Sequence, residues 1–118
     1  AVFIDNYAGA LECVRANLAP LAISHQWNII RWDAGENLSC LGAFQRRFDC
    51  AFIDPPYNQG LAARTLTHLV ACGAMTDGGL IILEHAHKER IDPDPAQLTL
   101  WDQRRYGKTL VTFLRSVL

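Results

Sequence analysis

The chain has 118 residues, of which 50% are apolar and 19% charged, and its formal net charge is −1. This balance excludes a disordered or low-complexity polymer, and near-neutrality excludes a wholesale electrostatic nucleic-acid binder, since such domains are strongly basic. A polyanion would have to be gripped locally, by Arg46-Arg47, by Lys88 with Arg90, or by Arg104-Arg105 with Lys108, although each of these also reads as a solvated face.

Ala1-Val2-Phe3-Ile4 opens the sequence as a strand and runs into Asp5-Asn6. Asn6 is placed to cap a helix whose apolar residues Ala8, Leu11, Val14 and Leu18 recur at helical spacing until Pro20 closes the segment. Trp27 to Trp32 is a second β-prone stretch and ends at Asp33-Ala34-Gly35. Leu38, Leu41 and Phe44 predict a short helix that leads through Arg46-Arg47 into the stretch Phe48 to Ile53. There the run Cys50 to Ile53 is uninterruptedly apolar, as expected of a strand covered on both faces. It stops at Asp54-Pro55-Pro56-Tyr57, because neither proline can donate a ladder hydrogen bond.

Asn58-Gln59-Gly60 reads as a loop, and Ala62, Leu66, Leu69 and Val70 form the stripe of a helix that stops at Gly73. Asp77-Gly78-Gly79 predicts a turn before the strand Leu80 to Leu83, which ends at Glu84-His85. Ile91 to Pro95 is a proline-rich connector. Leu98 to Trp101 and Leu110 to Leu114 then flank Tyr106-Gly107 as an antiparallel hairpin. Alternation of strand and helix predicts an α/β fold in a single domain over 1–118, a mostly parallel sheet with helices on both faces and an antiparallel C-terminal hairpin.

No apolar run approaches the roughly 20 residues that a membrane helix requires, and no signal-peptide pattern opens the chain. The expectation is a cytoplasmic protein with no membrane partner. The cysteines at 13, 40, 50 and 72 form no C-x-x-C pair, so no zinc or redox motif is expected; Cys50 and Cys72 read as buried small hydrophobes. His85 and His87 could share a strand face and bind metal, but a solvent-exposed pair is the expectation and no metal site is assigned.

Three strands end in an acid: Ile4 before Asp5, Trp32 before Asp33 and Ile53 before Asp54. Ligands of open α/β sheets bind at the carboxyl ends of strands. A carboxylate accepts two hydrogen bonds, so Asp5 could hold two ribose hydroxyls, and Asp33 beside the Ala34 amide could recognise an adenine edge. Asp54, the Pro55 carbonyl and the Tyr57 ring suit a planar amine.

On these residues the chain resembles the class I S-adenosylmethionine-dependent methyltransferases with their Rossmann-like sheet. Within them it is similar to the bacterial RsmD-like family that methylates the exocyclic N2 of a guanine in 16S ribosomal RNA. The resemblance rests on Val2-Phe3-Ile4-Asp5, Asp33-Ala34, Asp54-Pro55-Pro56-Tyr57, Ile82-Leu83-Glu84-His85 and Arg104-Arg105-Tyr106-Gly107-Lys108-Thr109. It implies S-adenosylmethionine as cofactor, contacted by Asp5, Asn6, Asp33 and Ala34. It implies a catalytic turn of Asp54, Pro55, Pro56 and Tyr57, and 16S rRNA or the small ribosomal subunit as partner.

Members of that family begin with a further strand and a glycine-rich loop that cradles the methionine end of the cofactor. No G-x-G occurs in these 118 residues. The expectation is therefore a truncated domain lacking that strand and loop, with weak cofactor binding and with exposed sheet edges through which a homodimer could form. Two other functions compete: an adenine-N6 methyltransferase of DNA or RNA using the same tetrapeptide, and a non-catalytic fragment that binds RNA or a partner chain.

Overall fold

A computed structural model describes residues 1–23 and 25–117. They form two compact units, 1–36 and 37–118, each with its own sheet.

The first unit is built from β1 (Val2–Asp5), α1 (Ala8–Leu18) and β2 (Asn28–Arg31), with a short 3₁₀ turn at Ala19–Leu21. β1 and β2 pair in parallel, Val2 opposite Asn28 and Asp5 opposite Arg31, a direction of pairing that requires a crossover such as α1 supplies. Leu11 is the buried anchor of the helix. Asn6 does not cap α1. The helix starts at Ala8 behind a Tyr7 cap residue with no side-chain bond. The Tyr7 amide donates instead to Asp5 Oδ1 at 2.8 Å, because an aspartate reaches the backbone two residues on.

The second unit opens with a 3₁₀ helix at Ser39–Ala43 where a short helix was expected, followed by β3 (Phe48–Ile53), α2 (Leu61–Ala71) and β4 (Met75–Ala86). A hairpin of β5 (Leu98–Tyr106) and β6 (Thr109–Ser116) completes it. The strand order is β3-β4-β6-β5. β3 and β4 are parallel, whereas β4–β6 and β5–β6 are antiparallel. The α/β class stands, but parallel pairing does not predominate. The 87–97 connection brings β5 back in the direction of β4, and the hairpin then reverses the chain, so β6 inserts between them antiparallel to both.

β4 is twelve residues long rather than four. The expected turn at Asp77-Gly78-Gly79 lies inside it as an irregularity: Phe48 pairs with Met75 but Cys50 with Leu80. Gly78 adopts φ +71°, and the surplus residues bulge out without ending the strand. At the hairpin Tyr106 pairs with Thr109 across Gly107-Lys108, with Gly107 at φ +61°, the left-handed conformation a two-residue connection needs at its first position.

One sheet face forms the core. Ile81, Leu83 and Leu114 are fully enclosed, and the buried side chains of α2 are Ala62, Leu66 and Leu69, three of the four residues of the expected stripe, with Val70 half-buried. The other face of β3 is open: Phe52 is 74% exposed and Cys50 is exposed as well. Cys50 is therefore not a buried hydrophobe, and β3 is not covered on both faces. In its sheet β3 is a terminal strand with β4 as its one partner, and α2 packs against that sheet. Among the described residues no helix is long and apolar enough to cross a membrane.

Leu83→Ala should destabilise the protein by about 2–5 kcal/mol, the usual loss for a large-to-small change at an enclosed site. Phe52→Ala should stay within about 0.5 kcal/mol, as solvent-facing substitutions do. Urea denaturation of both variants measures the contrast, and equal losses would mean that β3 buries its outer face.

Candidate functional site

β3 and β4 run in the same direction, with Ile53 opposite Leu83. The next residue on each strand is acidic, Asp54 and Glu84, and neighbouring strands lie about 5 Å apart. Two carboxylates are thereby brought to one end of the sheet. Pro55 and Pro56 follow and terminate the ladder, Asn58 turns the chain at φ +60°, and α2 begins at Leu61. The turn 54–57 thus projects from the carboxyl end of a strand, as the sequence predicts.

Tyr57 is half-buried, and its ring is fixed at the hydroxyl. The phenol donates a hydrogen bond to Glu84 Oε1 and lies 3.2 Å from Thr109 Oγ1. One side chain of the β3–α2 connection is thus tied to β4 and to the first residue of β6. Donation to the carboxylate pushes the phenol above its ordinary ionisation range, and the bond to Thr109 opposes this in part. Asp54 is solvent-exposed, yet partial loss of hydration raises its carboxyl above the ordinary value, and the negative charge of Glu84 raises it further.

Beneath this, on the covered face, His85 is 1% exposed. Its Nε2 lies 2.8 Å from Thr112 Oγ1 and its Nδ1 3.0 Å from the Ala86 carbonyl oxygen. Gln103 Nε2 donates to the same threonine oxygen at 2.9 Å. A consistent assignment has Nδ1 donating to the carbonyl and the threonine hydroxyl donating to Nε2. His85 is therefore neither solvent-exposed nor paired with His87, whose Nδ1 lies 3.1 Å from the Lys108 carbonyl oxygen. Alternation along β4 explains the burial of His85, which shares the covered face with Leu83 while Glu84 points the other way, and His87 lies past the end of the strand at Ala86. Among the described residues no group of three His, Cys, Asp or Glu side chains could hold a metal ion.

In the first unit Asp5 ends β1, and Asp33 follows β2 by two residues. Each commits Oδ1 to a backbone amide two residues on, Asp5 to Tyr7 at 2.8 Å and Asp33 to Gly35 at 2.9 Å. These bonds pin the turns and hold the carboxyl groups at the strand ends. The Asn6 carbonyl accepts from Arg31 Nε at 3.3 Å, tying the turn after β1 to β2. The Asp5-Asn6 and Asp33-Ala34 pairs therefore lie together at the ends of neighbouring parallel strands.

Sequence reasoning missed the second partner of Tyr57, Thr109, and the cluster on the hairpin. Arg115 lies 4.5 Å from the centre of the Trp101 ring and Arg104 5.4 Å from that of Phe113, and the two rings meet edge to face at 6.3 Å. Arg104 also pairs with Asp102 at 3.0 Å. The signal available was the alternation of cationic and aromatic residues on two strands, readable only once their register is known.

Residues 1–115 match the family model described as Conserved hypothetical protein 95. The chain belongs to this family. A curated relative, YlbH of Bacillus subtilis, carries an rRNA methyltransferase name; it is 25% identical over 114 residues, which cover 97% of this chain and 62% of YlbH. The chain thus spans somewhat less than two thirds of that relative. Among solved structures, a methylase-named protein of Haemophilus influenzae superposes with TM-score 0.82 at 21% identity, over 99% of this chain and 72% of that one. The methyltransferase-named YhhF of Escherichia coli gives 0.81 at 22% identity, over 99% and 63%. At such identities the likeness is one of fold.

Since the folded state holds the Asp54 carboxyl above its unfolded value near 3.8, the folded protein favours the protonated acid. Its contribution to stability is present below that value and is lost as pH rises through the raised one. Asp54→Asn should therefore melt above the parent at pH 7, and the difference should close as pH falls below about 4. Thermal unfolding across this range tests the sign; a gap that widens in acid contradicts it.

Proposed function

We propose that this protein transfers a methyl group from S-adenosylmethionine to the exocyclic N2 of a guanine in 16S ribosomal RNA. The observation that carries the reading is the Asp54-Pro55-Pro56-Tyr57 turn at the carboxyl end of β3, its aromatic ring fixed by Glu84 and Thr109, in a chain of this family. A purine amine is a weak nucleophile because its lone pair is delocalised into the ring. Acceptance of its hydrogens by the Asp54 carboxylate and the Pro55 carbonyl would turn the lone pair out of conjugation and aim it at the methyl carbon. Such positioning supplies much of a displacement's acceleration. Stacking on Tyr57 would hold the extruded base, at about 1–3 kcal/mol per base.

Asp5, Asn6, Asp33 and Ala34 fit the nucleoside half of the cofactor. A carboxylate whose one oxygen holds a turn still offers the other to a ribose hydroxyl or an amino group. When bound, the cofactor supplies an activated methyl group; these residues would orient it. The glycine-rich cradle for its methionine half is not among the 118 residues. An adenine N6 acceptor uses the same amine geometry, and the tetrapeptide alone does not separate the two.

The test is methylation of stripped ribosomal RNA and of immature small subunits, with labelled cofactor in large excess and nucleoside analysis of the product. N2-methylguanosine is expected, N6-methyladenosine would transfer the reading to the adenine class, and no methylated nucleoside at all would overturn both. Asp54→Ala should lower turnover about a hundredfold or more, the scale of losing a preorganised polar group at the reacting atom, while cofactor affinity changes little. Undiminished turnover in that variant would remove Asp54 from the mechanism.

A further inference from the structure

We propose that Glu84 is a positioning residue for base recognition: with Thr109 it clamps the Tyr57 phenol so that the ring stands as a fixed stacking platform beside Asp54. This rests on the reading of the 54–57 turn as the site of the acceptor amine.

The proposal starts from what a free tyrosine would do. Tyr57 lies in a connection between a strand and a helix, and a side chain there that was held only at its Cα would sample several rotamers. Each would have to be abandoned when a base stacked on the ring, at an entropic cost borne by the complex. In this structure the ring is held at both ends. The backbone is stiffened by Pro55 and Pro56 behind it, and the hydroxyl is anchored to Glu84 and Thr109, 27 and 52 residues away in sequence. The bond to Glu84 is charge-assisted, the stronger class. A phenylalanine would offer the same ring face with no anchor.

The placement of Glu84 has a cost that a merely structural staple would not require. Its carboxylate stands beside Asp54 and disfavours the charge there, although a neutral acceptor could hold the phenol as well. The structure therefore couples the group that orients the ring to the group that meets the amine. Tyr57 hydrogen-bonds to Glu84 and Thr109 and its phenol also feels the charge of Asp54, so ring, clamp and amine acceptor form one cluster.

The probe is guanosine 5′-monophosphate, titrated into the folded protein while the ring resonances of Tyr57 are followed by NMR, with thermal unfolding of each variant in parallel. In the parent the probe should shift the Tyr57 ring. Glu84→Ala and Tyr57→Phe should each weaken binding about tenfold, as loss of one charge-assisted hydrogen bond implies, followed in the phenylalanine variant on its own ring. The double variant should be no weaker than either single one, since both remove one interaction. Glu84→Gln, which keeps an acceptor, should restore most of the affinity and also lower the Asp54 carboxyl titration toward its ordinary range. Should Glu84→Ala fail to fold, Thr109→Val and Tyr57→Phe carry the same comparison. If the probe leaves the Tyr57 ring of the parent unmoved, the turn is not the base site and the functional reading itself fails. If the parent binds but Glu84→Ala binds equally well and merely melts lower, the clamp is a structural staple and this inference alone is overturned.

Discussion

The pairing of Ile53 with Leu83 is the constraint on which the rest of this molecule depends. Side chains alternate along a strand, so the register that sends Leu83 into the core sends Glu84 to the opposite face. A slip of one residue would expose Leu83 and turn a carboxylate into the core, which the enclosure of Ile81, Leu83 and Leu114 makes prohibitive. Hydrophobic burial thus selects the register, and the register places Asp54 and Glu84 at one end of neighbouring strands. The same pairing continues through β4 into β6, where Leu83 faces Thr112 and Ala86 faces Thr109. The core and the polar end of the sheet are consequences of one alignment.

That polar end is not arranged for stability. Partial loss of hydration raises the Asp54 carboxyl, and repulsion from the adjacent Glu84 raises it further. The phenol of Tyr57 offsets part of that repulsion by donating to Glu84. On the covered side the polar groups are instead mutually satisfied, with Gln103, Thr112 and His85 linked in sequence. The unit combines a closed, hydrogen-bonded face with an end at which like charges remain adjacent.

Much of this architecture was legible in the residue pattern because it follows from local rules. Apolar periodicity located α1 and α2, the paired prolines ended β3, and Tyr106-Gly107 announced the hairpin. Failures came where a local signal was outvoted by something distant. Asp77-Gly78-Gly79 has the composition of a turn, but pairing on both sides of it carries β4 through as a bulged strand. Cys50 and Phe52 have the composition of a core strand, but β3 ends its sheet and keeps one face open. His85 lies two residues before a second histidine, but strand alternation turns His85 inward while His87 falls past the end of β4. Asn6 is a good capping residue in general, yet Asp5 takes the local bond because the helix begins one residue later than the spacing suggested.

By itself, the sequence determined which strands end in an acid and that Asp54 is followed by two prolines and an aromatic ring, since these are properties of covalent order and of proline's missing donor. It likewise determined which residues could line a core. Only the tertiary structure decided that Tyr57 meets Glu84 and Thr109, and that Glu84 rather than His85 is available to it. The physical reason is separation: partners 27 and 52 residues apart are selected by strand register, and register is settled by the burial of the whole sheet face rather than by any residue beside them.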